Sequence, residues 1–302
     1  AFVLYAGAIT WSLLNIRKRP IPAYAVLFFV ITLSIVSNLF VSVGSFMNER
    51  FAYMPSVAFC LLVAWFLVEK LPELLPVPTS VTMIGGAVVL AGLMGFYAWR
   101  TVIRVPDWEN MFALNSSAVR SSPNSARAQS FYTTAIYQEK YAKATDDAER
   151  IMWVDTMEFH VKKALEIYPQ YGAALVMTAN IAIARYKIDH QMDKLFQEFT
   201  YCLGKAPNHE MLRGNIDNYM KYLATKGENP NKINAFAYKM GYEEFWLKRK
   251  DAKSAIQFLE YSVMTGTLDA RALNALAEVY TAVGQPQKAA EMRAKAAQAT
   301  TY

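Results

Sequence analysis

The stretch FYAWRTVIRVPDWENMFALNSSAVRSSPNSARA, residues 96–128, decides the architecture, because the chain changes character inside it. Residues 1–104 are almost continuously apolar. After Pro106 charged and polar residues alternate with apolar ones at the spacing of amphipathic helices. The expectation is an all-α chain: a transmembrane helix bundle of about four spans over residues 1–104, then an α-solenoid of paired helices over residues 105–302. Whole-chain averages hide this division, since the 54% hydrophobic fraction describes neither half.

Working back from the break, four apolar segments approach the roughly 20 residues needed to cross a hydrocarbon core. The first ends near Leu14, the second runs from about Ala23 to Val43, the third from about Tyr53 to Val68, and the fourth from about Ser80 to Trp99. Pro20 and Pro22 break the chain before the second, and Pro72, Pro76 and Pro78 mark a stiff turn between the third and fourth. Ala1 opens inside the apolar run AFVLYAGAITWSLL. A spanning helix rarely starts so abruptly, so the chain reads as the C-terminal part of a longer membrane protein. Arg17-Lys18-Arg19 follows the first span and should face the cytoplasm. Counting spans then places the Ser45–Arg50 loop outside, Glu69–Pro78 inside, and everything after Trp99 outside. Trp99, Arg100 and Arg104 read as an interfacial belt.

Working forward, PNSARAQSFYTTAIYQEKY sets Ala126, Tyr132, Ala135 and Tyr141 close to one helical face. ALEIYP, ending at Pro169, and CLGKAPN, around Pro207, repeat one shape, a helix stopping before its breaker. Ala255 in KSAIQFLEYSV and Ala289 in QKAAEMRAKAA stand 34 residues apart, the tetratricopeptide period, with ALNALAEVYTAVGQ between them. The count is four to five helix pairs, with insertions in the first two and an irregular stretch over Met211–Asn231. Such pairs stack by burying apolar stripes on their neighbours.

Several chemistries are disfavoured. The net charge of +6 is scattered, without the basic stripe that nucleic acid requires. Cys60 and Cys202 lie in different modules, so a disulfide between them is not expected. His160, His190 and His209 lack metal-ligand spacing and read as surface or helix-end residues. The glycines of GGAVVLAGLMG, residues 85–95, suit close helix packing in lipid, since a phosphate loop would need a strand and a Lys. Asp146, Asp147 and Glu149 read as a solvated helix start. Tyr168, Tyr171, Tyr186 and Tyr201 are the candidate acceptor or partner surface of the solenoid, although aromatic stripes in repeats more often belong to the core.

The densest polar constellation is SNLFVSVGSFMNERFAYMPS, residues 37–56. It sets Glu49 and Arg50 between two spans, beside Asn48, Tyr53 and Ser56. Ionisable groups at a membrane edge cost free energy unless paired or solvated. The planar fork of Arg50 matches phosphate oxygens, and Glu49 would orient it or position an acceptor hydroxyl. The spacing fits equally well an Arg–Glu pair that caps a short outer loop.

GSFMNERFAYMPS, residues 44–56, resembles the ER-x-x-Y-x-P-S segment of the transmembrane-and-tetratricopeptide-repeat family of O-mannosyltransferases, within the C-type, polyprenyl-phosphate-dependent glycosyltransferase superfamily. Ser37–Phe40 and the juxtamembrane Trp108, Asn110 and Pro123–Ala126 fit the same block, roughly residues 35–130. The resemblance implies a membrane enzyme that takes a sugar from a polyprenyl-phosphate donor on the outer or lumenal side. It implies repeats that recruit the acceptor protein or a partner subunit there, with membrane lipid and no nucleic acid as further partners. It carries over Asn48, Glu49, Arg50, Tyr53 and Ser56 as donor-lipid or site-lining residues. The family's catalytic acid lies in an early outer loop, so none is assigned here, and no metal or other cofactor is firmly implied. The short loops suggest a bacterial inner membrane with periplasmic repeats, and an endoplasmic-reticulum membrane with lumenal repeats, the alternative, would use the same topology. The alternative is a non-catalytic, membrane-anchored repeat scaffold in an envelope complex.

Overall fold

A computed structural model describes residues 2–18, 20–37, 49–74 and 78–299, and every regular element among them is helical. The chain divides into two compact units, Ala1–Arg104 and Val105–Tyr302.

In the first unit α1 (Phe2–Leu14) packs on α2 (Ile21–Val36), and α2 packs on α3 (Tyr53–Trp65). A π-helical turn, Phe66–Lys70, carries α3 into the short α4 (Leu71–Leu74), and α5 (Thr79–Arg104) packs against both. Four spans are expected from the sequence. Among the described residues two helical stretches are long and apolar enough to cross a membrane, Tyr53–Leu74 and Ser80–Trp108. The helices α1 and α2 are also apolar, with 13 and 16 residues described. Pro20 forms the N-cap of α2 and fixes where that helix begins. At the other end of the unit, α5 runs past Trp99 to Arg104, because nothing in TVIR interrupts the helix before Pro106.

Hydroxyls in these helices turn back on the backbone. Ser12 Oγ donates to the Ala8 carbonyl at 2.7 Å, Thr32 Oγ1 to Phe28 at 2.7 Å and Thr101 Oγ1 to Tyr97 at 2.9 Å. A polar group without water nearby needs such a local acceptor. Val88, Met94, Tyr97 and Val102 leave α5 apolar on its exposed sides. A helix apolar all round belongs either in a core or in lipid. Since these side chains are uncovered, lipid is the medium that fits.

The second unit contains ten α-helices among its described residues: α6 (Met111–Ser121), α7 (Ala126–Glu139), α8 (Asp147–Ile167), α9 (Gly172–Asp189), α10 (Met192–Lys205), α11 (Glu210–Lys226), α12 (Pro230–Ala237), α13 (Ala252–Met264), α14 (Ala270–Ala282) and α15 (Pro286–Ala299). A π-helical segment, Tyr238–Lys248, extends α12. Short polar residues start these helices. Asn110, Ser125, Asp146, Asp251 and Asp269 each accept a backbone N–H of the first turn.

Helices next in sequence pack together, and so do alternate ones: α7 with α9, α9 with α11, and α11 with α13 form one row. On the other side α10 packs with α12, and α12 with α14. Contacts confined to near neighbours define a solenoid. One apolar core runs through it, with Val154, Phe199, Ile216, Leu259 and Val279 fully enclosed. The two alanines 34 residues apart, Ala255 on α13 and Ala289 on α15, are both buried. Their small side chains let each helix approach its partner: the carbonyl of Ala255 would lie 2.9 Å from a Cβ placed on Gly241.

Candidate functional site

The two candidate regions lie in different units. In the first, Glu49 and Arg50 open a 3-10 turn, Glu49–Ala52, that leads directly into α3. Asn48 lies outside the described residues. Tyr53 begins α3 and is 75% exposed. Ser56 is exposed, and its hydroxyl donates to the Tyr53 carbonyl at 2.7 Å, which settles its hydrogen in the helix. Pro55 is buried. The segment therefore enters a membrane-length helix through a tight turn, with the Tyr53 ring uncovered at its first residue.

In the second unit the four candidate tyrosines separate. Tyr168 and Tyr171 meet across the α8–α9 turn with ring centroids 6.2 Å apart, Tyr168 exposed and Tyr171 half-buried. Tyr186 is buried in the core and donates its hydroxyl to Glu228 Oε2 at 2.9 Å. Burial, then that hydrogen bond, push its pKa up to about 12, so it remains a neutral donor. Tyr201 stays exposed. Of the four, Tyr186 and Tyr201 line a groove of about 940 Å³ bordered by α8, α9 and α10.

The groove has an apolar floor of Val161, Leu165, Ile181 and Leu195. Arg185 of α9 reaches two carboxylates of α8, bonding Glu158 Oε1 at 2.9 Å through Nε and Asp155 through its terminal nitrogen. The Glu158 bond, against partial burial, raises the Arg185 pKa and keeps the guanidinium charged. Glu198 of α10 lines the same groove. Burial against the groove wall, then the Glu158 carboxylate, raise its pKa. A second groove of about 460 Å³ continues along α10 toward α12, sharing Gln197 and Tyr201 with the first and carrying the Lys232–Asp193 pair. Together they form an apolar trough rimmed by charges of both signs.

Sequence reading does not find Arg185, Glu158 or Glu198. The first pair lies 27 residues apart on different helices, so no local spacing signals it. The histidines divide as well. His190 ends α9 in the left-handed region and His209 caps α11, both helix ends. His160 departs from the expected surface position: it is half-buried between Tyr132 and Phe159, with Nδ1 2.6 Å from Gln129 Oε1. Gln129 gives its amide N–H to the Pro123 carbonyl, so its oxygen faces the imidazole and Nδ1 carries the proton. Burial, then Lys163, lower the His160 pKa and keep the ring neutral. Cys60 is exposed, Cys202 is buried, and both are free thiols.

No protein-family model matches the chain. It is 31% identical over 149 residues to the human protein O-mannosyl-transferase TMTC1, covering 49% of this chain and 15% of that protein. It is 29% identical over 220 residues to mouse protein O-mannosyl-transferase TMTC3, covering 70% of this chain and 22% of that one. The chain thus spans less than a quarter of the length of either relative. The TMTC3 alignment is longer than either structural unit, so it crosses the join between them. Among solved structures, human IFIT1 bound to PPP-AAAA aligns over 96% of this chain and 67% of that one, with 15% identity and a TM-score of 0.38.

Proposed function

Since this chain belongs to the TMTC-like family, related to protein O-mannosyl-transferases, we propose that it is part of a membrane glycosyltransferase. In this reading the enzyme moves a sugar from a polyprenyl-phosphate donor to an extracytoplasmic protein. The observation that carries the reading is the sequence kinship that crosses from the apolar helices into the repeats. A similarity confined to repeats would speak only of a common scaffold. The physical requirements agree with it. A lipid-linked donor is met in the bilayer, and its phosphate calls for a cation at headgroup level. Arg50 stands in the turn that leads into a membrane-length helix, so it is the residue assigned to that phosphate, with Glu49 orienting it and Tyr53 lining the site. The grooved face of the solenoid receives the acceptor and raises its concentration near the donor.

The test is sugar transfer by the full-length protein in lipid nanodiscs, with polyprenyl-phosphate donors carrying radiolabelled mannose or other sugars and an unfolded secretory polypeptide as acceptor. Arg50→Ala should lower transfer by at least tenfold while the thermal unfolding of the protein stays unchanged. Equal transfer by both proteins would remove Arg50 from the donor site. No transfer from any donor, together with a stable partner subunit seated on the solenoid, would favour the scaffold.

A further inference from the structure

The C-terminal end of α5 carries a face of hydrogen-bond donors that no acceptor answers. Tyr97, Arg100 and Arg104 stand at i, i+3 and i+7, so they share one side of the helix. All three are exposed, Tyr97 at 67%. Thr101, between them, turns its hydroxyl to the Tyr97 carbonyl. Neither guanidinium, nor the Tyr97 hydroxyl, bonds any described residue. No acidic residue occurs from Thr79 to Pro106. The first beyond it, Asp107, accepts from Ser117 Oγ at 2.8 Å and pairs with Arg120. The face therefore has two positive charges and no negative one.

Helix length sets the depth of this face. Ser80–Trp108 is a helical, membrane-length stretch of 29 residues, about 43 Å at about 1.5 Å per residue. A hydrocarbon core is about 30 Å thick, and the bilayer with its headgroups about 40–45 Å. The charged Lys70–Glu73 pair lies before the stretch and holds its start at one boundary. The core then ends near Trp99, about 20 residues on, and Arg100 to Trp108 cross the headgroup layer. Trp108, 66% exposed, stands at its far limit. One and two turns deeper than Tyr97, on the same side, Leu93 and Val89 are exposed and apolar.

We infer that Tyr97, Arg100 and Arg104 bind the phosphate monoester of a membrane lipid. Charge and geometry select this ligand. Two cations one helical turn apart repel each other, and an anion bearing close to two charges offsets both. A phosphate monoester carries about −1.5 to −2 near neutral pH, whereas a phosphodiester headgroup carries a single charge. Each guanidinium fork matches a pair of phosphate oxygens. The Tyr97 hydroxyl, nearest the core, supplies one more donor. Below it Leu93 and Val89 give the lipid chain an apolar wall, which fixes the source as a lipid and not free phosphate. The inference does not depend on sugar transfer.

The test is a lipid competition on the full chain in dodecylmaltoside micelles. Phosphatidic acid with a fluorescent acyl chain is the probe, its binding read by anisotropy, and unlabelled lipids displace it. Phosphatidic acid and a polyprenyl phosphate, both monoesters, should displace the probe at about fivefold lower mole fraction than phosphatidylglycerol, the scale of one added charge at a membrane surface. Phosphatidylcholine, without net charge, should be weakest. Among the monoesters, a stronger polyprenyl phosphate would identify a prenyl carrier as the source, and equal strength would assign recognition to the headgroup alone. Arg100→Gln together with Arg104→Gln should lower phosphatidic acid to the level of phosphatidylglycerol. The same change at Arg17 and Lys18, beside a different helix, should leave the ranking intact. Equal displacement by all four lipids from the unaltered protein would overturn the site without recourse to any variant. So would an unchanged ranking in the Arg100/Arg104 variant, or a ranking lost in the Arg17/Lys18 variant.

Discussion

The two units handle their side chains in opposite ways. In the first, large apolar residues point outward: Ile84 is 66% exposed and Met94 71%. Its hydroxyls bond carbonyls within their own helix. In the second, equally large apolar residues are enclosed, Phe199 and Ile216 at 0% exposure. Its polar groups there reach across helices, as Tyr261 does to Asp217 at 2.5 Å and Asn215 to Asn180 at 2.9 Å. The difference follows from the surroundings. In lipid an apolar surface needs no protein cover, whereas a polar group must find an acceptor nearby. In water the apolar surface drives the packing, and exposed helix edges are free to form long-range polar ties.

The sharpest way to break this comparison is a pair of truncations. Phe199→Ala, in the core of the repeats, should cost about 3–5 kcal/mol through lost burial and a residual cavity. Ile84→Ala, on the uncovered face of α5, should cost under about 1 kcal/mol. Circular dichroism melts in nanodiscs would separate them, and similar losses would show that α5 packs against protein. A smaller contrast comes from two glycines. Gly241→Ala would place a Cβ 2.7 Å from Leu259 Cγ and 2.9 Å from the Ala255 carbonyl oxygen, costing about 1–3 kcal/mol through overpacking. Gly85→Ala meets nothing within 4 Å, so unfolding should not move.

The smallest effect concerns the cross-helix tie at Asp217. Burial alone would raise its pKa, yet hydrogen bonds from Lys221, Tyr261 and Gln257 outweigh burial and hold it below the ordinary carboxylate value. A depressed folded-state pKa gives stability that is complete above the unfolded value, near pH 4, and is lost as pH falls through the folded value. Tyr261→Phe removes one of those donors. The mutant should lose about 1 kcal/mol near neutral pH, and the acid limb of a stability–pH titration should begin at a higher pH. An unchanged acid limb would mean that Lys221 and Gln257 hold Asp217 without Tyr261.

Much of this arrangement was legible in the linear chain. The change from apolar to amphipathic helices, the helix start at Asp146, and the alanines 34 residues apart at 255 and 289 all follow from local rules: apolar density, helix-end charge and helical period. The span count was less legible. A run of apolar residues shows where lipid is tolerated, but the length of the helix inside it depends on where it starts, as at Pro20, and on how far it runs on, as in TVIR after Trp99. The candidate tyrosines were only half legible. The chain alone could not say that Tyr168 and Tyr171 sit in the α8–α9 turn, or that Tyr186 reaches inward to Glu228 while Tyr201 stays exposed on the groove.

By itself the sequence determined the all-helical character, the division into an apolar and an amphipathic half, and the resemblance to the O-mannosyl-transferase relatives, since each is written in residues near one another. Only the tertiary structure decided which helices border the groove and that Arg185 is claimed by Asp155 and Glu158. The two Arg185 contacts join residues 27 and 30 positions apart. Stacking of successive helices sets such distances, and no local period encodes them.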